Sequence, residues 1–230
     1  MFAEKIASLL KKNQKLFAPI VDFNPNTEKI ISLDFTSNNN SLTPEIFSDT
    51  LLFSNYIEAV LLAENAKYGI GGYLEERNLY ARSTHFNSEE GEARRLHLGV
   101  DIWGQTHTPI YAFLDAKIHS FAFNDHFGDY GATIILEHEL ENTTFYSLYG
   151  HLSFANLDGL FVGKAIKKGE QFADFGIAIE NGHWPPHLHL QLICNMNDYF
   201  GDYPGVAKIA EKELWASRLP DANLILNFDC

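Results

Sequence analysis

The chain has 230 residues, 46% of them hydrophobic, enough for one large domain or for one domain with a substantial extension. Its net charge of -13 and pI near 5.1 argue against nucleic acid or an anionic membrane as partner, because either would be repelled over the whole surface. No run approaches the roughly 20 apolar residues that cross a bilayer, and the two cysteines, Cys194 and Cys230, form no CxxC-like pattern, so no disulfide framework is expected.

At the start of the chain, Phe2, Ile6, Leu9 and Leu10 recur at helical spacing, with Glu4, Lys5, Lys11 and Lys12 among them. This predicts an amphipathic helix docked on the body of the protein. The same charges interrupt the roughly 7 to 15 apolar residues of an export signal, so a cytoplasmic protein is expected, with export to periplasm or cell wall as the alternative. A polar stretch follows, in which Ile30 to Phe35 reads as a strand and "SNNN" as a loop. Thr43 and Pro44 look like an N-cap and first helical residue. From there Ile46, Phe47, Leu51, Tyr56, Ile57, Val60 and Leu61 continue a helix that "YGIGG", Tyr68 to Gly72, is expected to end. Residues 1–80 are thus predicted to be a mainly helical extension packed on the core.

Residues 81–200 change character. "PIYAF", "KIHSFAF", "ATIILEH", "TTFYSLYGHL", "QFADFG" and "HLHLQLIC" are short, rich in β-branched and aromatic residues, and separated by turn signals such as "DHFGDYG". They predict a compact antiparallel β core. In residues 201–230, "GVAKIAEKELWASRL" returns to helical spacing and predicts a C-terminal helix, giving an α+β chain with a mainly β core.

Chemistry concentrates in two places. In "HWPPHLHLQL" an extended chain sends His187, His189 and Gln191 to one face and Leu188, Leu190 and Leu192 to the other. Such a strand can carry two solvated histidines, but paired imidazoles repel once charged, and a metal ion is the commonest thing that makes the pair favourable. In "HLGVD" the same alternation puts His97, Gly99 and Asp101 on one face, the glycine leaving room for an ion. HxxxD alone is weak; together with HxH it makes a plausible His, Asp, His ligand set with a fourth position open to water.

The segments "HLGVDIWG", "TPIYA", "YGATIILEH", "FYSLYGHLS", "VGKAIKKGE" and "PHLHLQ", over about residues 94 to 195, resemble the lysostaphin-type (LytM-like) zinc metallopeptidases in order and spacing. The resemblance implies a duplicated hybrid motif, an antiparallel β-sheet groove. It implies one zinc ion held by His97, Asp101 and His189, with His151 and His187 orienting the attacking water and steadying the oxyanion. The implied substrate is a peptide bond of peptidoglycan stem or cross-link peptides, or of peptides derived from them. A non-catalytic binding or regulatory protein using the same groove is the alternative, and a carrier of phosphoryl or acyl groups a third; a monomer is expected.

The sequence departs from that pattern at His107, where the turn before "TPIYA" usually has glycine, and at Ala173 and Ala178. Trp184 reads first as an exposed aromatic packed on a proline and second as a wall of the groove. His138 is expected to be structural near the site and Gln191 to support the ligands. His85, His107, His119 and His126 have no assigned role, and Asp129 and Tyr130 are as readily loop residues as groove contacts. Because protonated imidazole neither ligates nor accepts a proton, activity is expected to fall through about pH 6.

Overall fold

A computed structural model describes residues 2–87, 91–226 and 228. Cys230 lies outside them, and Cys194 is a buried free thiol. The chain begins with helix α1 (Phe2–Asn13); of its expected apolar face Ile6 and Leu10 are buried, whereas Phe2 is exposed and Ala3 is buried in its place. Strand β1 (Ile30–Leu33) follows.

The helix expected from Pro44 is two helices, α2 (Pro44–Ser48) and α3 (Thr50–Ala63). Asp49 breaks them: its backbone is extended and its carboxylate accepts from the amides of Leu51 and Leu52, capping α3. Thr43 stands at the start of α2 but makes no side-chain cap. The "YGIG" run is also not a helix end. It is strand β2 (Tyr68–Gly71), parallel to β1 and antiparallel to the strand that carries Asp101.

The core comprises β3 (Leu96–His97), β4 (Val100–Trp103), β5 (Pro109–Tyr111), β6 (Ala116–Asn124), β7 (Gly131–Leu140), β8 (Thr143–Leu152), β9 (Ala165–Ile166), β10 (Gln171–Asp174) and β11 (His187–Ile193). Beyond it come β12 (Val206–Ala207), α4 (Lys212–Ala216) and α5 (Asn223–Leu226), so the helix expected over "GVAKIAEKELWASRL" is confined to α4, preceded by the short strand β12, and α5 follows after Pro220. Among the described residues the main sheet has eight strands in the order β1-β2-β4-β11-β8-β7-β6-β9, flanked by the pairs β10-β5 and β12-β3. The mainly β core is as the sequence predicts, lengthened by two strands from the N-terminal extension.

One face of the sheet, with Val100, Ile102, Ile134, Leu136, Leu188, Leu190 and Leu192, is covered by α1 and α5. A second core cluster joins the extension to the site: Phe35, Phe53, Leu79, Tyr80 and Phe86 pack with Trp103, Trp184 and Val206. Removing residues 1–79 therefore strips β2 from β4 and uncovers Trp103. A chain beginning at Tyr80 is expected to be insoluble or to lose its cooperative unfolding transition. Solubility with retained activity would show the extension to be an independent unit.

Candidate metal centre

β11 lies between β4 and β8, and its register sets His189 opposite Asp101 on one side and Gly150 on the other. "HLGVD" is not one continuous strand; β3 ends at His97 and β4 begins at Val100. Gly99, at the break, lies against His189, and a Cβ there would sit 2.6 Å from its Nε2. The missing side chain makes room for the imidazole, not for an ion against the backbone.

Outer partners fix which ring nitrogen of each histidine faces inward. His97 Nδ1 donates to the carbonyl of Gly72 at 2.9 Å, which leaves the lone pair on Nε2. His189 Nε2 donates to Gln191 Oε1 at 3.1 Å, while the Gln191 amide nitrogen donates to the carbonyl of Pro204 at 3.1 Å; the His189 lone pair is then on Nδ1. His97 Nε2 lies 2.9 Å from His189 Nδ1, and Asp101 Oδ1 lies 3.2 Å from each. In these tautomers no proton stands between the three atoms, so they are mutually repelling acceptors in a buried site. Tetrahedral zinc with bonds of about 2.0–2.2 Å spaces its ligands by roughly 3.3 Å. The trio fits such an ion, and a cation removes the repulsion.

Asp101 uses its second oxygen differently. Oδ2 accepts from Arg77 Nη1 at 2.5 Å, and Arg77 Nε donates to Glu75 Oε2 at 2.6 Å. Arg77 is 1% exposed. Burial alone would raise the Asp101 pKa, but His97 and Arg77 outweigh it and hold the carboxyl well below the usual carboxylate range. Arg77 belongs to the extension, so a residue outside the HxxxD and HxH motifs orients Asp101, a candidate metal ligand. Arg77→Met leaves a buried carboxylate short of its counter-charge and should cost the metal-free protein about 3–5 kcal/mol in urea unfolding. Zinc affinity should fall roughly 10- to 100-fold. Unchanged stability and affinity in this variant would reduce Arg77 to packing.

The second pair of histidines is built alike. His151 Nδ1 donates to the carbonyl of Asn181 and His187 Nδ1 to that of Pro185, each at 2.8 Å, leaving Nε2 free on both. Their rings stack at 4.1 Å, and Trp103 lies parallel to His187 at 3.9 Å on a 7° interplanar angle. Burial pushes the His187 pKa down to about 4 and holds that of His151 well below its ordinary value, the latter helped by neighbouring His187 and His189. His151 also has φ +64°, a left-handed backbone that a β-rich segment does not ordinarily place on histidine. Such outliers persist where surroundings over-determine them, and they cluster at functional sites.

All five residues suggested by the resemblance thus come together. His151, His187, His189 and Asp101 line one cavity of about 160 Å³, and His97 closes the ligand trio behind it. Trp184 is not an exposed aromatic: it is 3% exposed, lines the cavity and carries the Arg82 guanidinium on its ring at 4.6 Å. His183 stacks on Phe127 away from the cavity lining. His107 adopts φ +59°, the left-handed backbone that favours glycine, and so holds the turn before β5. His138 is buried between Phe113 and Phe145, with Nε2 2.6 Å from Ser147 Oγ, and does not line the cavity. His85, Asp129 and Tyr130 do. Arg77, Tyr80, Phe86 and Tyr203 are among the lining residues that lie outside the sequence motifs. In "ERNLY" Arg77, Leu79 and Tyr80 are buried and Glu76 and Asn78 exposed, a pattern of period neither two nor 3.6 that no local signal announces.

Together, fold and site define a β-sheet protein with a buried His, Asp, His centre flanked by two unligated histidines. Residues 95–199 match the family described as Peptidase family M23. Among solved structures the chain is similar to a zinc containing peptidase from Vibrio cholerae, at 25% identity over 43% of this chain and 27% of that one, with a TM-score of 0.34. It is also similar to the catalytic domain of the antimicrobial peptidase lysostaphin from Staphylococcus simulans, at 22% identity over 53% and 80% of the two chains and a TM-score of 0.37. A third is the catalytic domain of the prophage-encoded M23 protein EnpA from Enterococcus faecalis, at 18% identity over 54% and 85% and a TM-score of 0.37. The match spans little more than a quarter of the Vibrio protein's length. No curated protein matches the chain.

Proposed function

We propose that the protein is a zinc-dependent peptidase that hydrolyses peptide bonds of peptidoglycan stem or cross-link peptides, or of peptides derived from them. The observation that carries this reading is the pairing of three metal-facing lone pairs with two further imidazoles whose Nε2 atoms face the same cavity unprotonated. His97, Asp101 and His189 would hold the ion, which when bound supplies a Lewis acid for the scissile carbonyl and makes deprotonation of water easier near neutral pH.

The remaining work falls to the chain's own side chains. One imidazole of the stacked pair accepts a proton from the attacking water at Nε2 and returns it to the leaving amine. The carbonyls of Asn181 and Pro185 keep each ring in the tautomer this needs and favour its imidazolium once formed. Because two imidazolium rings at 4.1 Å repel, the pair carries one added proton at a time, and the other ring stays neutral to orient water. Burial and Trp103 exclude competing solvent from both.

A non-catalytic binding protein needs the cavity but has no use for two tautomer-locked, unligated histidines. Incubating the zinc-loaded protein with a soluble muropeptide digest, read by mass spectrometry, separates these readings: hydrolysed stem peptides support a peptidase, whereas retention without cleavage supports a binding protein. The cytoplasm is proposed as the place of action, because a net charge of -13 gives no hold on anionic wall polymers. Recovery of the native protein mainly in periplasm, wall or medium on fractionation would overturn that placement.

A further inference from the structure

The metal centre lies at the bottom of a pocket and not along an open trench. His187 and His189 are each 3% exposed and His151 6%. Leu79 and Tyr80 of the extension, with Phe86 just after it, line the same cavity, each at most 5% exposed. This wall is core, not a loose flap. It packs with Trp103 and Trp184 and is tied by Arg77 N to Arg95 O at 2.8 Å, Arg94 N to Phe86 O at 2.9 Å and Ser83 Oγ to Phe127 O at 2.5 Å. Opposite, Tyr130 Oη donates to the carbonyl of Tyr203 at 3.1 Å and closes the other wall.

Among the described lining residues, all are buried except His85, Arg94, Asp129, Asp202 and Pro204. His85 Nε2 lies 3.8 Å from Asp129 Oδ2, and Asp202 feels the charges of Asp129, His85 and Arg94, so these side chains form one rim. The pocket therefore has a single mouth. Its volume of about 160 Å³ is close to that of a cavity that holds one benzene ring, roughly 150 Å³.

Geometry then restricts the substrate. An extended peptide advances about 3.3–3.6 Å per residue, and hydrolysis of an interior bond requires chain to leave the site in both directions. A blind pocket admits chain in one direction only. Resting on the peptidase reading above, we infer that this site takes a short peptide end first and cleaves within a residue or two of a free terminus, leaving the interior of cross-linked polymer uncut. The extension, by roofing the groove, sets that specificity.

The test uses the full-length, zinc-loaded protein on three substrates: stem peptides with free termini, the same peptides acetylated at the N-terminus and amidated at the C-terminus, and intact cross-linked sacculi. The expected result is release of one or two terminal residues from the free peptides, loss of cleavage on blocking both ends, and no solubilisation of sacculi. Interior cleavage of the doubly blocked peptides, or release of soluble fragments from sacculi at a comparable rate, would overturn the inference and leave the peptidase reading standing. Failure to cut any of the three with zinc bound would overturn both.

Discussion

Replacing His151 or His187 by alanine should leave zinc content and folding intact while lowering turnover roughly 100- to 10,000-fold, the range for loss of a positioned acid or base. Both rings are anchored through Nδ1 to backbone carbonyls, and neither belongs to the ligand trio. A variant with unaltered turnover would remove that residue from the reaction. The pair also sets the pH dependence. Burial depresses both pKa values, to about 4 for His187, so the neutral, proton-accepting form persists well below the 6.5 of a free imidazole. The acid limb of activity is therefore expected below pH 6, approaching about pH 4, and not through pH 6 as residue type alone suggests. A midpoint at or above 6 would show that desolvation does not govern these groups.

Alanine at His97, Asp101 or His189 should empty the site, abolishing both bound zinc and hydrolysis. Two remaining donors with no preorganised third are a poor tetrahedral site, and at position 101 the change also leaves the Arg77 guanidinium buried without its partner. Elemental analysis after dialysis should show about one zinc per chain in the parent and none in the variants. Retention of the metal in all three would refute the ligand set. Asp101→Asn distinguishes lost charge from lost shape, since it keeps an oxygen donor but not the carboxylate that Arg77 grips; its zinc content should lie between those of parent and alanine variant.

Much of this site was legible in the chain because it follows from alternation. His187, His189 and Gln191 share a face of β11 by the period of two, and Leu188, Leu190 and Leu192 supply the core on the other. What periodicity could not convey was where the extension goes. "YGIG" looks like a helix stop because glycine is a common terminator, yet Gly69 and Gly71 there allow close packing against Leu33 and Phe35 beside β4. Asp49 divides a continuous helical pattern because its carboxylate caps α3 more effectively than it continues α2. Arg77 lies in a run of charges, "EER", that reads as a solvated surface. Its burial depends on Asp101, 24 residues away and unpaired with it by any local rule. The enclosure of the site likewise comes from tertiary contacts among Tyr80, Phe86 and Trp184.

On the proposed reading an ion is held between His97 Nε2, Asp101 Oδ1 and His189 Nδ1. Crystals grown with zinc and measured on both sides of the zinc absorption edge test it most directly. One anomalous peak is expected within about 2.0–2.2 Å of those three atoms, with Arg77 still on Asp101 Oδ2 and both His151 and His187 unligated. A zinc peak elsewhere, or one coordinated by His151 or His187 in place of a member of the trio, would contradict it.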